Sequence, residues 1–167
     1  MRNVSVPLFF LNDIEKALQL SRTQSSMTHA CENALEMCKV HTLLIHTLAT
    51  TGSIEQCKDL LAELKHDIDY SLEARFHYML INNTALGALN LGIHALGISP
   101  DFEHSLTWVV NSGQDADIAG SIAGGLLGCY HGYESIPQRW LDALDKDVVK
   151  HLNEVSEYAI KRYLNSK

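Results

Sequence analysis

Two carboxylates, Asp115 and Asp117, are separated by one residue at the end of a glycine-containing loop, just before a segment with helical periodicity. Carboxylates at this spacing can both reach one hard cation, and oxygen ligands favour magnesium, calcium or manganese. The same pattern also arises where acidic side chains cap a helix and interact favourably with its dipole, without any metal. Taken alone the pair favours capping, so its interpretation depends on the sequence around it.

The elements that would position these carboxylates are helices. Apolar residues recur mostly at helical spacing, and three segments have the pattern of a capping box, in which a short polar residue precedes Glu or Gln by three positions. These boxes pair Asn12 with Glu15, Ser53 with Gln56, and Ser135 with Gln138. No convincing strand pair is visible, so the sequence predicts an all-α fold with one domain over residues 1–167.

Further helices are predicted between and after these boxes. They cover approximately residues 30–48, 71–82, 84–96, 101–110 and 118–130, whereas the polar stretch 21–28 is predicted to be a loop. A last helix is expected to direct one apolar stripe inward, formed by Val148, Leu152, Val155, Ala159 and Tyr163.

Three glycines, Gly120, Gly124 and Gly128, are spaced four apart and therefore share one face of the helix that follows the carboxylates. Glycine weakens a helix relative to alanine, so three in register need a compensating reason. The spacing predicts that another backbone packs closely against this face.

Composition excludes several classes of protein. The net charge is −7 at pH 7, and only Lys161 and Arg162 form an adjacent basic pair, which argues against a nucleic-acid partner. No apolar stretch approaches the roughly 20 residues that a membrane span needs. The four cysteines form no C-x-x-C pair, and this usage is typical of a reduced, cytoplasmic protein.

The segment 111–144 resembles the C-terminal metal motif of the ADP-ribosylglycohydrolase family, which reads G-G-D-x-D-T, then a small-residue I-A-G helix, then Y-G and I-P-x-R-W. The matching residues are Gly113, Asp115, Asp117, Ile122 to Gly124, Gly132, Ile136, Pro137 and Arg139 to Leu141. The resemblance implies a compact orthogonal array of helices that binds magnesium, often replaceable by manganese. It also implies an enzyme that removes ADP-ribose from modified proteins or related adducts, with Asp115 and Asp117 as metal ligands.

A second segment, 25–29, resembles the family's S-x-x-T-H segment. In the family this region borders the ADP-ribose cleft, so the resemblance makes Thr28, His29 and Gly113 candidate substrate-binding residues. The alternative is that Thr28 merely caps a helix and leaves His29 exposed. Both interpretations stay open from the residues alone.

The chain also departs from the family pattern. Its start, Met1-Arg2 followed by Pro7, resembles an internal family segment, so the chain is expected to be a C-terminal half without the N-terminal metal ligands. The threonine after the second aspartate, a metal ligand in the family, is Ile118. We therefore expect a glycohydrolase-like protein that is incomplete and inactive alone, with no catalytic residue assigned. Alternatives are a non-catalytic protein that binds ADP-ribose or a nucleotide, and a helical interaction protein. The expected partners are an ADP-ribosylated protein, and a second copy or a separate N-terminal half.

Overall fold

The computed structural model describes residues 2–64, 84–98, 100–113 and 115–165, and this part of the chain contains helices and no strand. The prediction of an all-α fold is confirmed. After a short 3-10 turn at Arg2–Val4, the helices are α1 (Ser5–Phe9), α2 (Ile14–Ser26), α3 (Glu32–Thr51), α4 (Ile54–Glu63), α5 (Ala85–Gly97), α6 (Phe102–Asn111), α7 (Ala116–His131), α8 (Gln138–Asp142) and α9 (Lys146–Asn165). The helix predicted over residues 71–82 lies outside the described residues.

Helix α5 lies at the centre of the core. It packs against α3, α6 and α7, and all of its residues from Leu91 to Leu96 are buried. A helix that is apolar all round fits this central position. Helices α3 and α7 supply further core side chains, including Val40, Leu44, Ile45, Leu48, Ala123, Leu126 and Leu127, and α4 and α6 add Cys57, Leu61, Phe102 and Val109. Helices α3, α5 and α7 therefore form the packed frame of the site described below.

Two helix backbones approach each other closely at Gly92, a glycine that the spacing argument missed. A Cβ on Gly92 of α5 would lie 3.2 Å from Ile122 Cγ2 and 3.5 Å from the Cα of Ala123 in α7. The predicted glycine face is different, because a Cβ on Gly120 would meet only the Val110 side chain and one on Gly128 would meet nothing within 4 Å. Within the described part of the chain, side chains of α6 rather than another backbone contact this face, and its far end meets no described atom, so the prediction of backbone contact was wrong for these residues.

Helix α2 extends through most of the stretch that was predicted to be a loop. Ser21 and Ser25 lie on its inner face and are buried, which polar side chains tolerate when they are hydrogen-bonded. Ser21 Oγ donates to Asn3 Oδ1 at 2.7 Å and lies 3.3 Å from the Cys38 carbonyl. The segment is therefore helical, with Ser21 and Ser25 on its buried face and Arg22, Thr23 and Ser26 exposed.

The three predicted capping boxes have different outcomes. Ser53 accepts a hydrogen bond from Gln56 N, so it caps α4 as predicted. The cap of α2 is Asp13 rather than Asn12, because Asp13 Oδ1 accepts from Lys16 N. Ser135 caps no helix and instead donates to the carbonyl of Gly132 within a 3-10 turn, so that box was predicted wrongly.

Helix α9 has no buried residue. Val148 and Leu152, which the sequence placed inward, are exposed, whereas Val155, Ala159 and Tyr163 are half-buried. The helix contacts α1, where the rings of Phe9 and Tyr158 lie 5.9 Å apart. The predicted stripe is thus only half covered. No helix among the described residues is long and apolar enough to cross a membrane.

Candidate functional site

A cavity of about 500 Å³ opens between the chain start, the end of α2, and helices α3, α5 and α7. Its lining is Arg2, Asn3, Gln24, Ser25, Thr28, His29, Ala34, Met37, Cys38, His41, Thr84, Ala85, Gly87, Ala88, Leu89, Leu91, Gly113, Asp115, Ile118, Ala119 and Ile122. This volume falls within the range of about 300–1,000 Å³ that is usual for small-molecule sites. The cavity is therefore large enough for a nucleotide-sized ligand.

The cavity brings together most of the residues that the sequence singled out. Thr28, His29, Gly113 and Asp115 all line it. Asp117 is different, because it lies in the first turn of α7, is exposed and is not part of the lining. Ile118, the residue in the family's threonine position, does line the cavity.

The side formed by segment 25–29 is held by local hydrogen bonds. The backbone N–H groups of Thr28 and His29 both donate to the carbonyl of Ser25. The Thr28 hydroxyl lies 3.0 Å from His29 Nδ1 and accepts from the Arg2 guanidinium at 2.9 Å. Arg2 thus places a positive charge beside the candidate binding residues, which the motif alone did not reveal.

Three of the helices in the described part of the chain begin at the cavity, since residues of the first turns of α3, α5 and α7 line it. The side chains at the N-caps of α3 and α7, Cys31 and Asp115, cap no backbone N–H, whereas Thr84 Oγ1 caps α5 by accepting from Gly87 N. The N-terminal ends of helices carry partial positive charge and unpaired N–H donors. Their convergence favours an anionic ligand.

His41 is buried at the cavity floor and had no motif to mark it. Burial lowers the pKa of its imidazole from 6.5 to about 4, while the backbone of Ile122 has a smaller effect in the opposite direction. The ring is therefore neutral at physiological pH. The sequence does contain a signal for its burial: His41 is seven residues after Ala34 and therefore lies on the same, inward face of α3.

The donor set limits what metal chemistry these residues could support. No group of three or more His, Cys, Asp or Glu side chains in the described part of the chain is arranged to hold a metal ion. Asp115 and Asp117 are the carboxylates that the motif supplies, and only Asp115 faces the cavity. Magnesium demands near-octahedral oxygen coordination, so the described residues do not fit a complete magnesium site.

Comparison with known proteins supports one assignment. The ADP-ribosylglycohydrolase family profile matches residues 1–166. The chain is 25% identical over 133 residues to the ADP-ribosyl-(dinitrogen reductase) glycohydrolase of Rhodospirillum rubrum, covering 77% of this chain and 44% of that protein. It is 21% identical over 151 residues to the ADP-ribosylarginine hydrolase Tri1 of Serratia proteamaculans (strain 568), covering 86% of this chain and 41% of that protein.

A solved structure described as an ADP-ribosylglycohydrolase-related protein complex matches with a TM-score of 0.77 and 28% identity, over 97% of this chain and 57% of that chain. The chain thus spans less than half the length of the two curated relatives. The profile match, the structural likeness and the cavity formed by the two motif segments agree: the chain belongs to the ADP-ribosylglycohydrolase family.

Proposed function

We propose that the cavity binds the ADP-ribose part of an ADP-ribosylated protein, and that the chain supplies one portion of a glycohydrolase site. The observation that carries the proposal is the convergence of the segments 25–29 and 113–119 on one cavity. These segments lie far apart in sequence and carry the family resemblance independently. A purely structural role for both would not require them to face the same space.

The charges around the cavity suit a diphosphate. Arg2 supplies a guanidinium beside Thr28, and guanidinium groups bind phosphate oxygens by charge-assisted hydrogen bonds. The first turns of α3, α5 and α7 add partial positive charge. Asp115, which is half-buried and lines the same cavity, can accept hydrogen bonds from ribose hydroxyls. We place the diphosphate near Arg2 and His29, and a ribose near Asp115.

Hydrolysis requires metal ligands that binding of ADP-ribose does not require. In the family, magnesium orients the substrate and activates water, and Asp115 and Asp117 are the residues that would contribute ligands here. Ile118 presents an apolar side chain where the family has a hydroxyl. We therefore propose that the described residues bind ADP-ribose without hydrolysing its adducts, and that hydrolysis needs further ligands from other residues or from a partner chain.

The first test is calorimetric titration with ADP-ribose. We expect saturable binding, and we expect Arg2→Met and His29→Ala each to raise Kd by about 10-fold, because each removes a hydrogen bond to the ligand. Lys161→Ala is the matched control, since Lys161 lies on α9 and is not part of the cavity. Its Kd should equal that of the wild type. Absence of binding, or equal Kd values for all variants, contradicts the proposal.

The second test concerns magnesium. We expect titration of the chain with magnesium to show no stoichiometric site of micromolar affinity, because two carboxylates leave most of the coordination shell to water. Ile118→Thr restores the family's hydroxyl and should strengthen any weak binding, whereas Asp115→Ala should remove it. A tight, stoichiometric site in the wild type would overturn the claim of incompleteness.

The third test addresses self-association. Val148 and Leu152 are exposed on α9, and they continue the stripe that rests on α1 farther along the helix. We propose that this end of α9 is covered in a homodimer, since isologous pairing is the commonest way to cover an apolar face. Sedimentation at micromolar concentration should show a dimer, and Leu152→Glu should give a monomer with unchanged helicity. A wild-type monomer across that range contradicts the proposal.

A further inference from the structure

The 3-10 turn at Arg2–Val4 carries two neighbouring side chains with opposite surroundings. Asn3 is 5% exposed, whereas Arg2 is exposed at the cavity that it lines. Consecutive residues of a 3-10 turn differ in direction by about 120°, so one side chain enters the protein while the other stays at its surface. A turn of three residues has few hydrogen bonds of its own, and its position therefore depends on what its side chains contact.

The amide of Asn3 is paired at both ends inside the protein. Its Nδ2 donates to the Cys38 carbonyl at 3.0 Å and to Thr42 Oγ1 at 2.9 Å, both on α3. Its Oδ1 accepts from Ser21 Oγ of α2 at 2.7 Å. Buried hydrogen bonds are costly to break because the groups left behind stay unsatisfied. Asn3 therefore joins the turn to two helices at once, and the directions of its hydrogen bonds restrict how the turn can rotate.

The neighbouring residue on the other side, Val4, holds the turn in a different way. Val4 packs against α7, where a Cβ on Gly125 would lie 2.9 Å from Val4 Cγ2. An apolar contact keeps the turn close to the core, but it has no preferred direction. The rotation of the turn is thus set by Asn3 rather than by Val4.

Arg2 extends from this fixed turn to the segment that follows α2. Its Nη2 donates to Thr28 Oγ1 at 2.9 Å, and Thr28 is seven residues after Ser21, the partner of Asn3 on α2. No ion pair in the described part of the chain involves Arg2. A guanidinium has five N–H donors, so the hydrogen bond to Thr28 leaves most of them for an anionic ligand.

We propose that Asn3 is a positioning residue for Arg2: its buried amide fixes the turn so that the Arg2 guanidinium is held at the cavity for a phosphate group. This inference rests on the proposed function, in which that phosphate belongs to ADP-ribose. A long side chain loses rotamer entropy when it binds, and a fixed backbone lowers that loss. Asn3 acts through Arg2 rather than on the ligand, because both ends of its amide are already used.

Nitrogen-15 NMR of the arginine side chains tests the positioning without any ligand, on the whole chain. Arg2 is assigned by the loss of its signals in Arg2→Met. We expect the Arg2 guanidinium of the wild type to rotate slowly, because it is held at Thr28, and that of Asn3→Ala to rotate rapidly, as in a solvated arginine. Equal rotation rates in the wild type and Asn3→Ala overturn the inference.

A milder variant keeps this test decisive if Asn3→Ala does not fold. Thr42→Val conserves the shape of the side chain but removes one acceptor of Asn3 Nδ2, so it should give an intermediate rotation rate. Thr50→Val is the matched control, because Thr50 lies exposed on the same helix and its hydroxyl donates to the His46 carbonyl, far from Asn3. Arg2 should rotate in Thr50→Val as in the wild type. Equal rates in Thr42→Val and Thr50→Val contradict the inference.

Calorimetric titration with ADP-ribose tests whether Asn3 acts through Arg2. Asn3→Ala should raise Kd by about 5-fold in the wild type. In the Arg2→Met background the same change should leave Kd unaltered, because no guanidinium is left to position. A purely structural role would weaken binding equally in both backgrounds, since a distorted cavity does not depend on Arg2. Additive effects of the two substitutions therefore overturn the inference, whatever their effect on stability.

The two proposals can fail separately. If ADP-ribose does not bind, the proposed function fails, while the rotation of Arg2 still decides whether Asn3 holds it. If Arg2→Met weakens binding and Asn3→Ala does not, the proposed function stands and this inference is wrong.

Discussion

Lowering the pH from 6.5 to 4 should destabilise the folded chain by about 3 kcal/mol through His41 alone, because its pKa falls by about 2.5 units on folding and each unit corresponds to about 1.4 kcal/mol. In this window the unfolded imidazole binds a proton and the folded one does not. The unfolded state therefore holds more protons, so the free energy of unfolding rises with pH up to about 6.5 and then levels off.

Urea unfolding at a series of pH values, compared between the wild type and His41→Met, measures this effect. The variant has no imidazole at this position, so its stability should fall much less between pH 6.5 and 4. Burial also lowers the pKa values of His94 and His131, and these two histidines should leave a residual slope of the same sign in the variant. Parallel pH profiles for the two proteins would contradict the assignment of a buried, neutral His41.

Leu126→Ala should have a comparable or larger effect, with a loss of about 3–5 kcal/mol in the free energy of unfolding. Leu126 is fully buried in α7, and its Cδ1 lies 3.2 Å from where a Cβ on Gly92 would be. Truncation removes apolar burial and leaves a cavity between α5 and α7, the pair of helices that packs most extensively in the described part of the chain. Since whole domains are stable by only about 5–15 kcal/mol, this variant should unfold at clearly lower denaturant concentration.

Leu164→Ala is the matched control, because it makes the same chemical change at a side chain that is 60% exposed on α9. We expect its stability to stay within about 0.5 kcal/mol of the wild type. Guanidinium unfolding followed by circular dichroism gives both values. Equal losses at the two positions would mean that α9 is packed more tightly than the structure shows.

Local signals in the sequence were sufficient for the fold class and for most helices. Apolar periodicity located α3, α5, α6 and α7 to within a few residues, since each helix must bury a stripe of its own surface. Capping chemistry is equally local, and Ser53 was recognised because a cap involves residues three positions apart. The same approach predicted too short an α2. Ser21 and Ser25 are helical and buried because they pack near Asn3 and α3, and the local sequence does not show these distant neighbours.

For the site, the sequence by itself singled out two short segments as candidates: Thr28-His29 and Asp115 with Asp117. Only the tertiary structure decided that Thr28, His29 and Asp115 line one cavity. These residues are far apart in sequence, and the long-range packing of α3, α5 and α7 brings them together. It also decided that Asp117 is directed elsewhere, since successive helical residues differ in direction by about 100°. The burial of His41 and the exposure of much of α9 were also decided by the tertiary structure. An amphipathic pattern predicts which face of a helix is apolar, but the whole fold determines which element, if any, covers that face.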